Sequence, residues 1–411
     1  MSPIDTTARP EGGQAPKLSE RLNTPVSTAE LERRWSAVRE AMRAEQIDVL
    51  LLQNNSESVG GYVRWFTDMP AGYYPTTVVF GLEQPMSVVS HGALGEVREL
   101  EGQSDGVLRG VERAYATASF PSAAYTREYD ADLALRALEP FRNATIGLIG
   151  TYQMSFSFGE RIRRGLPNAC MVEASELVDL IKAIKSPDEQ ALIRAAAAVQ
   201  DEVMEASLAA VEPGLKESDV AAVGRRRAHE LGSEAGIFLA GSGPVGTPAP
   251  TKPRHHQNRV LQKGDVFALL VEIDGPGGMY TELGRTCTLG PVPQQLQEEF
   301  EFTLSAQQFT LERLIPGKLA SEIFEEYNEF MRSNGRPPER RVHCHGQGYD
   351  LVERPFIRFD ETLRIEADMN FACHPKYVCA GMFSWICDNY LIGPDGPGPR
   401  LHKFPQRIVE R

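Results

Sequence analysis

Apolar and polar positions follow different patterns in the two parts of the chain. Up to about residue 175, short apolar runs ("QIDVLLLQ", "TTVVFG", "MSVVSHG", "TIGLIG") stand between segments such as "TAELERRWSAVREAMRAE". Short apolar runs bounded by turn residues predict strands and the longer charged segments predict helices. Their alternation predicts an independent α/β domain. Further on, "SPDEQALIRAAAAVQDEVMEASLAAV" predicts a long helix with Ser186 as N-cap, Pro187 at its first position and Glu189 closing a capping box.

Two Pro-Gly turns then introduce a repeat, "EPGLKESDVAAVGRRRAHELG" and "IPGKLASEIFEEYNEFMRSNG". Pro213–Gly232 and Pro316–Gly335 span the same interval at an offset of 103 residues. Ser218 and Ser321 are expected as helix N-caps, each followed by an acid in the positively polarised first turn, and Gly232 and Gly335 as the C′ glycines. Apolar strands follow each helix pair: "GDVFALLVEIDG" and "YTELGRTCTLG", then "MNFACHP" and "SWICDNYLIG". The expected plan is a loose Pro- and Gly-rich segment 1–25, an α/β domain 26–175, and a duplicated ααββ domain 176–411 with a pseudo-twofold between its halves. Under that symmetry the loop of His255 and His256 corresponds to that of His343 and His345, and the two loops are expected to meet across a central sheet. The first domain carries few convergent polar residues and is expected to support or cap the site.

Composition narrows the function. The net charge of −13 argues against a nucleic-acid or anionic-membrane surface, either of which needs a basic stripe. No apolar run approaches the roughly 20 residues of a membrane span, and the first residues lack the basic start and apolar core of a secretory signal. Six cysteines without a CxxC pair predict reduced thiols in the cytoplasm. Half of the eight histidines lie in the two loops just named. In "RVHCHGQGYDLVERP", His343 and His345 are one residue apart, so an extended chain would project them together, while Gly346 and Gly348 allow a sharp course that brings His345 alone to a centre. A histidine, with a pKa of about 6.5, can take a proton from water and return it to a leaving nitrogen at neutral pH.

With "IKSPDEQALIRAAA", "KGDVFALLVEIDG", "YTELGRTCTLG", "HGQGYDLVERP" and "ICDNYLIG" in this order, the chain resembles the creatinase/prolidase/aminopeptidase P family of pita-bread-fold enzymes. The resemblance covers essentially the whole chain. It implies an α/β domain followed by the pita-bread domain, in a homodimer whose N-terminal domain contributes to the partner's active-site rim. The peptidase branch holds two divalent metals with two Asp, one His and two Glu. Carried over, those positions fall near Glu272 (where this chain is one residue short) and on Glu282, His345, His374 and Cys387. A second family histidine is Val352 here, with Glu353 after it. Two carboxylates stand where the peptidases have four, and a dinuclear site of hard cations needs several anionic oxygens.

The expected function is therefore a creatinase-like, metal-independent hydrolase that cuts a C–N bond in a small polar amide or amidine, with no cofactor. His345, or one of His255 and His256, would activate water and protonate the departing nitrogen. Glu282 and Glu353 would anchor cationic or N–H groups, and Glu272, His343, His374, Cys387 and Asp388 would complete the pocket. Arg285 is expected to lock strands through a carboxylate. One alternative is a hydrolase or peptidase with a single divalent metal on Glu282, His345, His374 and Cys387, one oxygen, two nitrogens and one sulfur. Two others are a lyase acting on a small onium or hydroxy acid and a non-catalytic binding protein.

Overall fold

A computed structural model describes residues 24–54, 60–70, 72–100 and 107–411. The segment 1–25, expected to be loose, lies almost wholly outside the described residues. The chain divides into two compact units, Met1–Ile181 and Lys182–Arg411.

In the first unit the predicted strands form as Val49–Asn54, Thr76–Gly81, Met86–His91 and Thr145–Ile149. They join Val97–Glu99, Val111–Thr117 and Cys170–Glu173, which the apolar pattern did not reveal, in a seven-stranded mixed sheet. Val49–Asn54 is buried along its whole length, between an antiparallel neighbour (Thr76–Gly81) and a parallel one (Thr145–Ile149). Thr28–Ala44 is helical, with the Ser27 hydroxyl accepting from Glu30 N.

The second unit is duplicated. Its first half runs helix Pro187–Ala209, helix Glu217–Glu230, then strands Gly236–Pro244, Asp265–Asp274 and Tyr280–Thr288. Its second half runs helix Gln294–Leu311, helix Ala320–Ser333, then strands Cys344–Gly346, Asn370–Cys373 and Asp388–Gly393, with Glu353–Phe356 and the hairpin Lys376–Cys379/Met382–Trp385 between them. In each half the first strand pairs antiparallel with the second and the second with the third. The halves join where Gly284 N donates to Cys387 O (3.1 Å) and Cys387 N returns to Gly284 O (3.4 Å). These residues are themselves one repeat offset apart, so the pseudo-twofold passes between them.

Each half thus has three repeated strands where two were expected. Gly236–Pro244 was hidden because "GIFLAGSGP" has the composition of a loop. Its small residues serve close packing: a Cβ on Gly241 would lie 2.0 Å from the carbonyl oxygen of Pro250 on the returning chain. The helix caps differ as well. Ser186 caps its helix in the predicted capping box, but Lys216 and Leu319, not Ser218 and Ser321, stand at the N-caps of the repeated helices. There the flanking chain takes over a serine's task, since Glu217 N and Ser218 N donate to the carbonyls of Arg259 and Gln257, and Ala320 N donates to that of Leu363. Gly232 and Gly335 do take left-handed φ values just past the helix ends, 87° and 69°.

The first half buries Val203, Met204 and Leu208 of its long helix against Val271, Ile273 and Leu283. The second buries Ile323 and Phe324 against Phe371, Tyr390 and Ile392. Full burial of such side chains contributes about 1.5–3 kcal/mol each, and both packed faces hold rigid the sheet edges that meet at Gly284 and Cys387.

Candidate functional site

Antiparallel pairing sets Glu272 directly opposite Glu282, and side chains so paired lie on one face of the sheet. His345, on the strand Cys344–Gly346, brings its Nε2 to 3.4 Å from Glu282 Oε2. His374 follows the strand Asn370–Cys373, which pairs with that of His345, and its ring centre lies 5.0 Å from that of His345. Glu282, His345 and His374 are buried, and each offers a ligand atom within 4.8 Å of the other two.

The proton arrangement suits a cation. His345 Nδ1 lies 2.9 Å from the carbonyl oxygen of Gly346. A carbonyl only accepts, so Nδ1 carries the hydrogen and Nε2 is the ring atom turned to the Glu282 carboxylate. A carboxylate oxygen and a ring nitrogen at that distance can share either a proton on Nε2 or a metal ion held by both. Burial works to raise the Glu282 carboxyl, but His374, His345 and Lys376 outweigh it and hold it at about 2. Burial lowers His374 to about 3, and its Nδ1 is buried without a hydrogen-bond partner among the described residues. An ionised carboxylate and a neutral imidazole are the forms in which Glu282 and His374 would bind metal. Burial, reinforced by the charge on Glu282, pushes Glu272 well above the carboxylate range.

Around this cluster runs an amide network that the sequence did not reveal. Gln347 Nε2 donates to Glu272 Oε1 (3.2 Å), its Oε1 accepts from Asn389 Nδ2 (2.9 Å), and Asn389 Oδ1 accepts from the backbone N of Glu282 (2.7 Å). Gln347 sits between the glycines of "HGQG". The glycines serve close approach rather than the sharp course expected of them. Neither has a left-handed φ, and a Cβ on Gly346 would lie 2.7 Å from the Arg354 carbonyl oxygen, one on Gly348 2.6 Å from Glu353 Oε2.

Other expected residues stand elsewhere. His255 and His256 are exposed on a short 3-10 turn, their rings 4.3 Å apart, and no contact joins them to the cluster. At the repeat offset His343 and His345 correspond to Ala240 and Ser242, inside a strand, so the two histidine loops are not equivalent. His343 stacks on Tyr327 (3.6 Å between ring centres) and bonds Thr310 Oγ1 through Nε2 (3.1 Å). The strand begins only at Cys344, so alternation does not govern His343, and burial holds its pKa well below the usual value.

Glu353 accepts from Lys185 Nζ at 2.9 Å and lies 3.2 Å from Lys182 Nζ. Burial opposes its ionisation, but the two lysines prevail and hold it at about 2. With both oxygens so engaged it is a structural anion and not a group awaiting substrate. Asp388 is held by Arg285 at 2.8 Å, both fully buried, the strand lock expected of Arg285. Cys387 turns its thiol to the Glu282 carbonyl oxygen (3.3 Å), and burial raises its pKa, so it stays a thiol outside the ligand cluster.

The site residues therefore fit one cation better than two. His374 and the inward-bonded Cys387 stand where the dinuclear set has carboxylates, whereas Glu282, His345 Nε2 and the unpartnered His374 nitrogen form a three-ligand set with oxygen and nitrogen donors.

Residues 191–394 match the model of metallopeptidase family M24. No curated protein matches the chain by sequence. Among solved structures, an X-Pro aminopeptidase from Thermotoga maritima is similar with a TM-score of 0.76 at 16% identity, over 92% of this chain and 99% of that one. Dipeptidase PepE from Mycobacterium ulcerans gives 0.74 at 20% identity over 94% and 99%. The prolidase from Pyrococcus horikoshii gives 0.72 at 18% over 92% and 100%. At these identities the likeness is one of fold. Among the described residues no helix is long and apolar enough to cross a membrane.

Proposed function

Since the second unit of the chain belongs to metallopeptidase family M24, with its pita-bread fold, we propose that the protein is a hydrolase of amide C–N bonds in small substrates, of the aminopeptidase P/prolidase kind, working with a single divalent metal. The observation that carries this is the convergence of Glu282, His345 and His374 within 4.8 Å. It favours the single-metal alternative over the metal-independent, creatinase-like reaction expected from sequence. Family membership favours hydrolysis over elimination or binding alone.

Glu282, His345 and His374 would hold the ion. When bound, a divalent cation supplies Lewis-acid chemistry, polarising an amide carbonyl and making water nucleophilic near neutral pH. The protein's own groups do the rest. The Gly346 carbonyl fixes the His345 tautomer and ring, as ligand histidines require. Glu272 is held by Gln347 through Oε1, which leaves Oε2 as the oxygen placed to pass a proton to the departing nitrogen. The amide chain Gln347–Asn389 locks the two glutamates into register. The six cysteines are all free, which supports a cytoplasmic setting, and a homodimer is proposed on the family resemblance.

Metal content and turnover test this together. Purified protein is expected to carry about one equivalent of zinc or a similar ion and to cleave Xaa-Pro dipeptides. Activity should be lost on chelation and regained on adding that ion. Two equivalents, or full activity in chelated protein, would overturn the single-metal mechanism, the second outcome restoring the metal-independent one.

A further inference from the structure

The sheet row that carries the two glutamates continues away from them. Ala268, Leu270 and Glu272 alternate along one strand, and opposite the last two stand Gly284 and Glu282. Over this row lies the hairpin Lys376–Cys379/Met382–Trp385, paired Lys376 with Trp385 and Val378 with Phe383. Its other face is occupied: Tyr377 hydroxyl donates to Glu299, Ser384 bonds Thr303, and Met382 packs on Leu296 and Phe300. The face of Lys376, Val378, Phe383 and Trp385 is therefore turned to the glutamate row. Phe383 and Trp385 pack with Ala268, Leu270 and Cys387. The six-membered edge of the indole covers Gly284, where a Cβ would lie 2.3 Å away, two residues from Glu282.

Among the described residues, two donors on this face lack acceptors. The Trp385 indole N–H is buried, the residue being 2% exposed, and has no partner. Lys376 is half-buried and, among the described residues, makes no ion pair or hydrogen bond. Its charge bears on Glu272, Glu282 and His374, and the exposed Arg341 adds a second positive charge felt at Glu272. A cation and an unpaired N–H beside an apolar wall are what a carboxylate on an otherwise apolar molecule needs.

We propose that Lys376 and the Trp385 indole N–H form a subsite for a carboxylate of the substrate. The site then takes short acids whose free carboxylate lies near the scissile amide, and not the interior of a longer chain. The hydrolase function proposed above supplies only the bond that is cut; the binding preference stands apart from turnover.

Calorimetry with N-acetylphenylalanine and its primary amide as probes, on the full-length protein as purified, tests the subsite. Wild type is expected to bind the acid roughly 10–100-fold more tightly than the amide. Lys376→Met should bring that ratio near one, Lys376→Arg should restore most of it, and Trp385→Phe should reduce it in part. Equal binding of acid and amide by wild type, no binding of either, or a ratio that survives Lys376→Met would overturn the proposal. So would equal weakening of both probes by Lys376→Met, the mark of a counter-charge that only steadies Glu282. Cleavage of amide substrates without preference for the acid would sink the subsite and leave the hydrolase. Acid-selective binding without turnover in metal-loaded protein would do the reverse.

Discussion

Arg285→Met is expected to destabilise the second unit by about 3–5 kcal/mol, the usual cost of breaking a buried pair from one side. Arg285 and Asp388 are both fully buried, with Nη2 at 2.8 Å from Oδ1. The remaining guanidinium donors go to the carbonyls of Gly284, Cys387, Phe404 and Pro405. Methionine keeps much of the volume and leaves Asp388 with Gln406 at 2.9 Å and weaker partners in Arg400 (3.4 Å) and His402 (3.6 Å). For a domain of this size each kcal/mol moves Tm by about 2–4 °C, so the drop should be roughly 6–20 °C. The sign with pH follows from Asp388. Burial raises its pKa, but Arg285 and His402 lower it further, and the folded value lies below the unfolded one of about 3.9. Its stabilising contribution is therefore complete above that unfolded value and fades as pH falls below it. Thermal melts followed by circular dichroism from about pH 3 to pH 8 should show the widest gap between wild type and mutant near neutrality and a narrower one in acid. A mutant melting within about 2 °C of wild type at neutral pH, or a gap that widens on acidification, would refute the assignment. Adding Asp388→Leu should recover part of the loss, because no charge is then left alone.

Cys387→Ala is expected to leave metal stoichiometry unchanged, since its thiol is spent on the Glu282 carbonyl; loss of the ion by elemental analysis would make it a ligand. His345→Ala should abolish metal retention and lower turnover by about 10²-fold or more, with the melting temperature of the metal-free protein little changed. The double change His255→Ala, His256→Ala should leave kcat/KM within about twofold, and a loss near that of His345→Ala would bring this exposed turn into the chemistry. Gly348→Ala should cost about 1–3 kcal/mol in calorimetric stability, because its Cβ would push Glu353 from Lys182 and Lys185.

What the sequence made legible were the features that depend on local pattern or on repetition. The capping box at Ser186, the C′ glycines and the offset of 103 all express backbone demands that a particular residue type must meet. Glu282, His345 and His374 could be singled out because motif order fixes them in register on paired strands. Side-chain partnerships formed across long sequence separations stayed hidden. Glu353 reads as an anchor for a cationic group of the substrate until folding brings Lys182 and Lys185 to it, and nothing in the local pattern marks those lysines as its partners. Cys387 likewise looks like a ligand until the thiol is seen to turn to a carbonyl. The strand Gly236–Pro244 was missed because glycine that allows close approach has the same letters as glycine that makes a turn.

The duplication also explains why the cluster lies on one side of the pseudo-twofold. Gly284 and Cys387 are equivalent and face each other at the crossing, as are Arg285 and Asp388 one residue further on. Two residues before the crossing the equivalent positions are Glu282 and Trp385, and there the halves part company. One half supplies the carboxylate that faces His345; the other supplies an indole whose ring lies over Gly284, where a Cβ would clash. A glutamate at 385 would place a second carboxylate against the same crossing with no histidine pair beyond it, since the residues equivalent to His345 and His374 in the first half are Ser242 and Val271. A duplicated scaffold thus gives two geometrically matched places beside one axis. In this chain one of them holds the metal-ligand cluster and the other presents the unpaired N–H and the lysine proposed to receive the substrate's carboxylate.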